Sequence, residues 1–375
     1  MAGIYIHIPF CKQKCHYCNF FSIASSKNKN LFSEVILNEI ELQRNYLKGE
    51  SIETIYFGGG TPSLLSGDEI TRIADKLSDF HLIEKDCEIT LEANPDDLNH
   101  EKIADLRRTP VNRLSIGVQS FFDEDLRYLN RIHSANEAFN SVKNVIAAGF
   151  SNISIDLIYG IPTSTDNKWQ SNLETFYSLN IPHLSAYALT VETKTALDVL
   201  IRKNKTLPVN EEQITRQFIL TMEGMVSRGY VQYEISNFCR EPFFSKHNTS
   251  YWSGKKYLGL GPSAHSYNGE SRQWNVSNLT QYLSSIKNRV IPAESELLTG
   301  EQHYNEYILT SLRTMWGVDS TLIEKTFGRK YSSYFQKSIE KFLLNKSAEY
   351  INGKYILTNK GKFFADGIAT ELFIE

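Results

Sequence analysis

Six times between residues 3 and 229, a short run rich in β-branched and aromatic residues is followed by a longer stretch with helical periodicity. Parallel strands need a crossover connection of a dozen or more residues, so this alternation commits the chain to an α/β fold with a parallel sheet joined by helices. The strand runs read as 3–8, 53–57, 88–93, 112–118, 152–159 and 183–190. The helical patterns lie near 29–48, 66–80, 99–108, 123–149, 166–179 and 210–229, the fourth long enough for two helices. Gly58-Gly59-Gly60-Thr61-Pro62, Asn94-Pro95 and Gly160-Ile161-Pro162 each follow a strand, where Gly and Pro break the extended run before the next helix. Right-handed crossovers turn such a series into a doubly wound sheet or a barrel, complete or partial, and periodicity alone leaves both open.

Beyond Tyr230 the alternation stops. A strand is expected at 230–235, followed by a Gly- and aromatic-rich segment to about residue 275 that extends the sheet. From residue 298 the pattern is helical; it ends in a hairpin over 349–357, turning at Asn352-Gly353, and a last helix from 359. The expected organisation is therefore a βα core over 1–230, a sheet extension over 231–290, and a helical domain with a small hairpin, winged-helix-like, over 291–375. Helices followed by a wing can bind nucleic acid. Lys325, Arg329, Lys330, Lys337, Lys341 and Lys346 are diluted by Glu324, Glu340, Glu349 and Glu371, however, and the net charge is -3. A lid or an acceptor-docking module is the better expectation, with no nucleic-acid partner. No apolar run approaches the roughly 20 residues of a membrane span, and the first residues lack a basic segment followed by an apolar one, so a cytoplasmic location is expected.

Cys11-Lys-Gln-Lys-Cys15-His-Tyr-Cys18 places three of the five cysteines in the loop after the first strand. That crowding is unlike a disulfide framework and reads as a thiolate site kept reduced. Thiolates are soft ligands suited to iron-sulfur clusters, and three on one loop can hold a cube and leave its fourth iron open to a small molecule. Zinc competes, but a structural zinc site needs a fourth ligand, for which His16 is poorly placed between the cysteines. The glycine run at 58–60 follows the second strand, where barrel enzymes place their sites, and Glu92, Gln119 and Asp156 end the third, fourth and fifth strands. Cys87 and Cys239 read as buried free thiols, and His7 as a structural hydrogen-bonding group.

The cysteine spacing in the first loop of a βα series resembles the radical SAM superfamily, in which S-adenosylmethionine (SAM) binds the open iron of a 4Fe-4S cluster through its amino and carboxylate groups. Tyr5-Ile-His-Ile-Pro-Phe-Cys11 together with the glycine run resembles the branch that contains oxygen-independent coproporphyrinogen III oxidases and haem chaperones of the HemW type. The resemblance covers nearly the whole chain and implies a partial (β/α)6 barrel. It implies Cys11, Cys15 and Cys18 as cluster ligands, and Tyr5, Gly59 and Glu92 as contacts to the cluster-bound SAM. Gly60, Thr61, Gln119, Arg131 and Asp156 match positions that bind a second SAM in the oxidases.

Within that branch the oxidases carry a fourth cysteine two residues after the third, where this chain has Phe20. They also carry a long N-terminal extension, whereas only four residues precede Tyr5 here, so the segment that helps close their site is expected to be missing. His247-Asn248-Thr249-Ser250-Tyr251-Trp252 resembles the His-Asn-x-x-Tyr-Trp element of the chaperones, associated there with haem. An imidazole can supply an axial nitrogen to haem iron, and Tyr251 and Trp252 a flat apolar surface. The expectation is a haem chaperone that passes haem to an apo-acceptor such as a respiratory haem protein, with transient contact to a membrane protein. The alternative is a radical enzyme that takes an electron from a donor, cleaves SAM and decarboxylates porphyrinogen propionates.

Overall fold

The computed structural model describes residues 1–374, which contain one twelve-stranded sheet and one two-stranded hairpin. Strands β1 (Ala2–Ile8), β2 (Ile52–Gly59), β3 (Ile83–Ala93), β4 (Arg113–Gln119), β5 (Ile153–Tyr159) and β6 (His183–Ala188) stand side by side in chain order, all parallel. A doubly wound sheet reverses its strand order at a switch point. No reversal occurs among these six, so they form an open barrel segment, the partial (β/α)6 arrangement implied by the resemblance.

The two faces of this sheet follow opposite rules, as the period of two along a strand allows. Ile4, Ile6, Ile8, Ile55, Phe57, Leu91, Leu114, Ile116, Ile155 and Leu157 point one way, into the main apolar core with the helices. The alternate positions are polar: Tyr5 and His7 on β1, Thr54 and Tyr56 on β2, Glu88, Thr90 and Glu92 on β3, Arg113 and Ser115 on β4, Asp156 on β5, Ser185 on β6. Helix starts reinforce the register. Ser66 and Glu69 form a reciprocal capping box for the helix Gly67–Ser78, and Ser134 with Glu137 does the same for Ala135–Ala147.

The sheet is extended at both edges, not one. β7 (Val231–Glu234) and β8 (Asn237–Cys239) add antiparallel beyond β6. β9 (Tyr257–Leu260) adds parallel to β1, followed outward by β10 (His265–Tyr267), β11 (Ser271–Asn275) and β12 (Ala293–Leu297), all antiparallel. The pairing of β12 with β11 runs across the 290/291 boundary drawn from the sequence. A second apolar cluster, around Tyr304, Ile308, Leu312, Phe335, Ile339 and Ile368, holds the C-terminal helices. These are Gly300–Leu312, Ser320–Phe327, Arg329–Leu344 and the shorter Asn359–Lys362 and Ala365–Glu371. The hairpin β13 (Ala348–Ile351) and β14 (Lys354–Leu357) turns at Asn352 and Gly353, both at positive φ (52° and 82°), as a two-residue hairpin turn of the primed type requires. No helix of the described residues is long and apolar enough to cross a membrane.

The β9–β12 extension is fastened to the core through one buried carboxylate. Glu39, on the helix Lys29–Leu42, accepts hydrogen bonds from the Tyr282 hydroxyl (2.6 Å), the Asn275 amide (2.6 Å) and the Gly261 N–H (2.7 Å). Burial pushes its carboxyl up to about 7. A folded-state value above the unfolded one stabilises the fold below the unfolded value and loses that contribution as the pH rises through 7. Urea unfolding should therefore show stability falling from pH 5 to pH 8, and Glu39→Gln should flatten that slope. Glu39→Ala, which orphans three buried donors, should cost about 2–4 kcal/mol at pH 7 in the same measurement.

Candidate functional site

The cysteine loop between β1 and the helix Lys29–Leu42 is held from both sides. The Cys11 N–H donates to the Ile23 carbonyl (2.9 Å) and the Ile23 N–H to the Pro9 carbonyl (2.8 Å), a bridge that folds the loop back on itself. The His16 N–H reaches the Leu129 carbonyl (3.1 Å), the Asn130 side chain donates to the Lys14 carbonyl (2.8 Å), and the Gln13 side chain to the Asn130 carbonyl (3.0 Å). Lys12 pairs with Asp96 (2.9 Å) and also with Asp97. The positions of the cysteines are thus set by protein contacts.

Cys11, Cys15 and Cys18 line a cavity of about 450 Å³ at the C-terminal ends of the barrel strands, together with Gly59, Gly60, Thr61, Glu92, Gln119, Arg131 and Asp156. That volume falls within the roughly 300–1,000 Å³ of small-molecule sites. Glu92 accepts from the Tyr56 hydroxyl (2.8 Å) and the Gly59 N–H (3.1 Å), and burial pushes its carboxyl up to about 7. Burial pushes Asp156 up to about 6, against the Ser115 hydroxyl at 3.3 Å. Arg131 donates to the Asn94 side chain (2.7 Å), the Gly117 carbonyl (2.8 Å) and the Cys15 sulfur (3.3 Å). Asn94 in turn donates to the Thr61 hydroxyl (3.2 Å). Gln119 holds φ 67°, a backbone strain of the kind found at ligand sites.

The glycine run answers to packing as well as to a ligand. A Cβ on Gly59, itself at φ 105°, would stand 2.6 Å from the His7 ring, and one on Gly60 would stand 2.7 Å from the Phe10 carbonyl. The turn is bare because β1 leans on Gly59 and the start of the cysteine loop on Gly60.

The donor set fits a cluster. Burial pushes the Cys11 and Cys18 thiols up, and a coordinating metal reverses this by holding the thiolate. A structural zinc site needs four ligands around one ion, whereas this loop offers three thiolates. A cubane instead takes one thiolate at each of three irons. Across the cavity, Glu92 and Asp156 offer carboxylates to a cationic ligand with hydroxyl groups, which suits SAM.

Two expected residues stand apart. Tyr5 lines an adjoining cavity of about 600 Å³, and its hydroxyl meets His7 Nδ1 (3.1 Å), while His7 Nε2 meets the Phe21 carbonyl (2.8 Å). His247 borders that same cavity yet is only 1% exposed, and both its ring nitrogens are engaged: Nδ1 with the Thr54 hydroxyl (2.9 Å), Nε2 with the Tyr251 hydroxyl (2.9 Å). Its ring stacks on Tyr56 with centroids 4.8 Å apart, and burial pushes it down to about 3. The expected axial nitrogen is therefore not free in this structure. His247 lies on the helix Lys246–Trp252, whose first N–H groups, from Lys246 (3.1 Å) and His247 (3.0 Å), are accepted by the Glu88 carboxylate. Sequence reasoning missed Tyr56, Glu88, Asn94 and Thr54. The signal for the strand members was the alternation of polar with branched apolar residues along β2 and β3. Phe20, 63% exposed, sits on the rim shared by both cavities.

Comparison with known proteins adds descent to geometry. The model of the radical SAM superfamily matches residues 5–176. The haem chaperone HemW of Bacillus subtilis is 34% identical over 98% of this chain and 98% of its own, and HemW of Escherichia coli is 36% identical over 70% of this chain and 69% of its own. The solved structure of coproporphyrinogen III oxidase (HemN) from Escherichia coli, a radical SAM enzyme, superposes with a TM-score of 0.85 over 99% of this chain and 90% of that one, at 23% identity, a likeness of fold. On these matches, the chain belongs to the radical SAM superfamily and, within it, to the HemW family.

Proposed function

We propose that this chain is a haem chaperone: it binds haem and hands it to an acceptor haem protein, while its barrel holds a 4Fe-4S cluster on Cys11, Cys15 and Cys18. The observation that carries this reading is the end-to-end match, 98% of both chains, to a protein named a haem chaperone. The cluster would chelate SAM at its open iron. Glu92, tied to the Gly59 N–H, would receive the cationic part of SAM, with Asp156 and Gln119 lining the same cavity. Gly60 and Thr61 would shape the floor, and Arg131 would brace Asn94 and Cys15 from behind. Tyr5 would act from the side of the adjoining cavity. The acceptor would be a respiratory haem protein reached at a membrane, and an electron donor is needed only if SAM is cleaved.

A second reading, oxidative decarboxylation of coproporphyrinogen propionates, is favoured by the superposition on the oxidase fold. Phe20, where those oxidases carry their fourth cysteine, weighs against it. With the cluster reconstituted anaerobically and SAM and reductant supplied, the chaperone reading expects haem transfer to an apo-protein and no decarboxylation. Robust decarboxylation without transfer would reverse the assignment.

Substitution of Cys11, Cys15 or Cys18 by Ala should abolish cluster iron and its electron paramagnetic resonance signal, whereas Cys87→Ala and Cys239→Ala should retain both. SAM binding to the reconstituted protein should weaken as the pH falls from 8 to 6, because Glu92 and Asp156 lose their charge through about 7 and 6. Glu92→Gln should cost roughly tenfold or more at pH 8 and flatten most of that profile in equilibrium dialysis.

A further inference from the structure

Behind the helix Lys246–Trp252, away from the cysteines, lies a cavity of about 910 Å³ between the β9–β12 extension and the C-terminal helices. Its walls include seven Phe, Tyr and Trp rings, among them Trp252, Tyr257 and Tyr267 from the sheet extension and the helix before it, and Tyr307, Trp316 and Phe327 from the C-terminal region. Aromatic rings drawn from both the sheet extension and the C-terminal region, around a cavity near the top of the small-molecule range, suit a large planar ligand. Three further observations narrow its chemistry. His303, on the helix Gly300–Leu312, faces this space beside the Tyr267 ring (centroids 6.4 Å apart), and among the described residues its imidazole makes no hydrogen bond. Two cations border the same space, Arg272, paired with Glu306 at 2.8 Å, and Lys354, paired with Asp319 at 3.0 Å. Trp252 Nε1 and Arg272 Nε, on two residues of the groove, are buried and have no acceptor among the described residues.

Resting on the chaperone reading above, we infer that this groove is the porphyrin site: haem lies between the aromatic walls, its iron takes His303 as an axial ligand, and its propionates face Arg272 and Lys354. The contrast with His247 is geometric. His247 has both nitrogens bonded and its ring stacked inside the barrel, whereas His303 has neither nitrogen engaged. Trp252, the last residue of the His-Asn-x-x-Tyr-Trp element, belongs to this groove, while His247 belongs to the adjoining cavity. The element would then serve haem through its tryptophan and not through its histidine. A neutral imidazole is a usual axial donor, and burying the macrocycle against aromatic rings supplies the apolar part of the affinity.

The test is a ferric haem titration of the full-length chain, followed by absorption and electron paramagnetic resonance. His303→Ala should weaken binding by at least about tenfold and change the axial-ligand signature, since even outer-shell losses cost that much at metal sites. Thr310→Trp, which fills the groove without touching the cysteine cavity, should weaken binding comparably while cluster content is unchanged. His265→Ala, in the adjoining cavity, should leave affinity and spectrum as in the wild type. If His303→Ala and Thr310→Trp both keep wild-type affinity and spectrum, or the loss follows His265→Ala instead, the groove assignment is wrong while the chaperone reading stands. If the wild type takes up no haem, both fall together.

Discussion

A parallel sheet usually buries both faces in apolar contacts. Here one face is lined with ionisable and hydroxyl side chains, and each needs a partner, because an unpaired buried polar group is costly. At the N-terminal ends of the strands the protein supplies those partners itself. Arg113 donates to the Asn152 side chain (2.6 Å), His183 is held between the Ser154 and Tyr233 hydroxyls (2.7 Å each), and Glu88 and Thr54 receive the helix Lys246–Trp252. At the C-terminal ends the polar side chains open onto the cavity of the cysteines. One end of the barrel segment is plugged by its own chain and the other left to a ligand, and the rest of the architecture follows from that division.

Much of the core was legible because each of the six strands carries its own local signal, and sequential βα units leave few topologies. The hairpin over 349–357 was legible for a similar reason: Asn352-Gly353 demands a particular turn. The edge strands were not. β8 and β10 have three residues each, too few to show a period, and each is defined by its pairing with two neighbouring strands, β6 and β7 for β8, β9 and β11 for β10. The same limit explains the site. Cys11, Glu92 and Asp156 stand out by residue type at strand ends, but Asn94 and Tyr56 matter only through contacts with Arg131 and Glu92, which no local pattern reveals. For His247, residue type suggested a ligand, whereas only the fold shows that Thr54, 193 positions away, takes one nitrogen.

Two cavities of this radical SAM scaffold are lined by different residues, and one short helix joins them. The cysteine cavity and the aromatic groove share no lining residue, and the helix Lys246–Trp252 lies at both, with Asn248 lining the first and Trp252 the second. Tyr251 and Tyr257 line the groove and also the intermediate cavity that reaches Gly59 and Glu92. Rings in contact run from one cavity toward the other: Tyr5 stacks on Tyr56 and Tyr56 on His247, and His247 meets Tyr251 edge-on.

The Glu88 carboxylate that receives the first turn of that helix has an evolutionary consequence. Glu88, Thr54, His247 and Tyr251 form one bonded set drawn from two strands and a distant helix, so a lineage that replaced one of them alone would strand a buried donor or acceptor on another. These positions should drift together or stay put, and the hexapeptide beginning at His247 cannot be transplanted as a tag: outside this barrel its histidine would keep Tyr251 but lose Thr54, and its first N–H groups would lose Glu88.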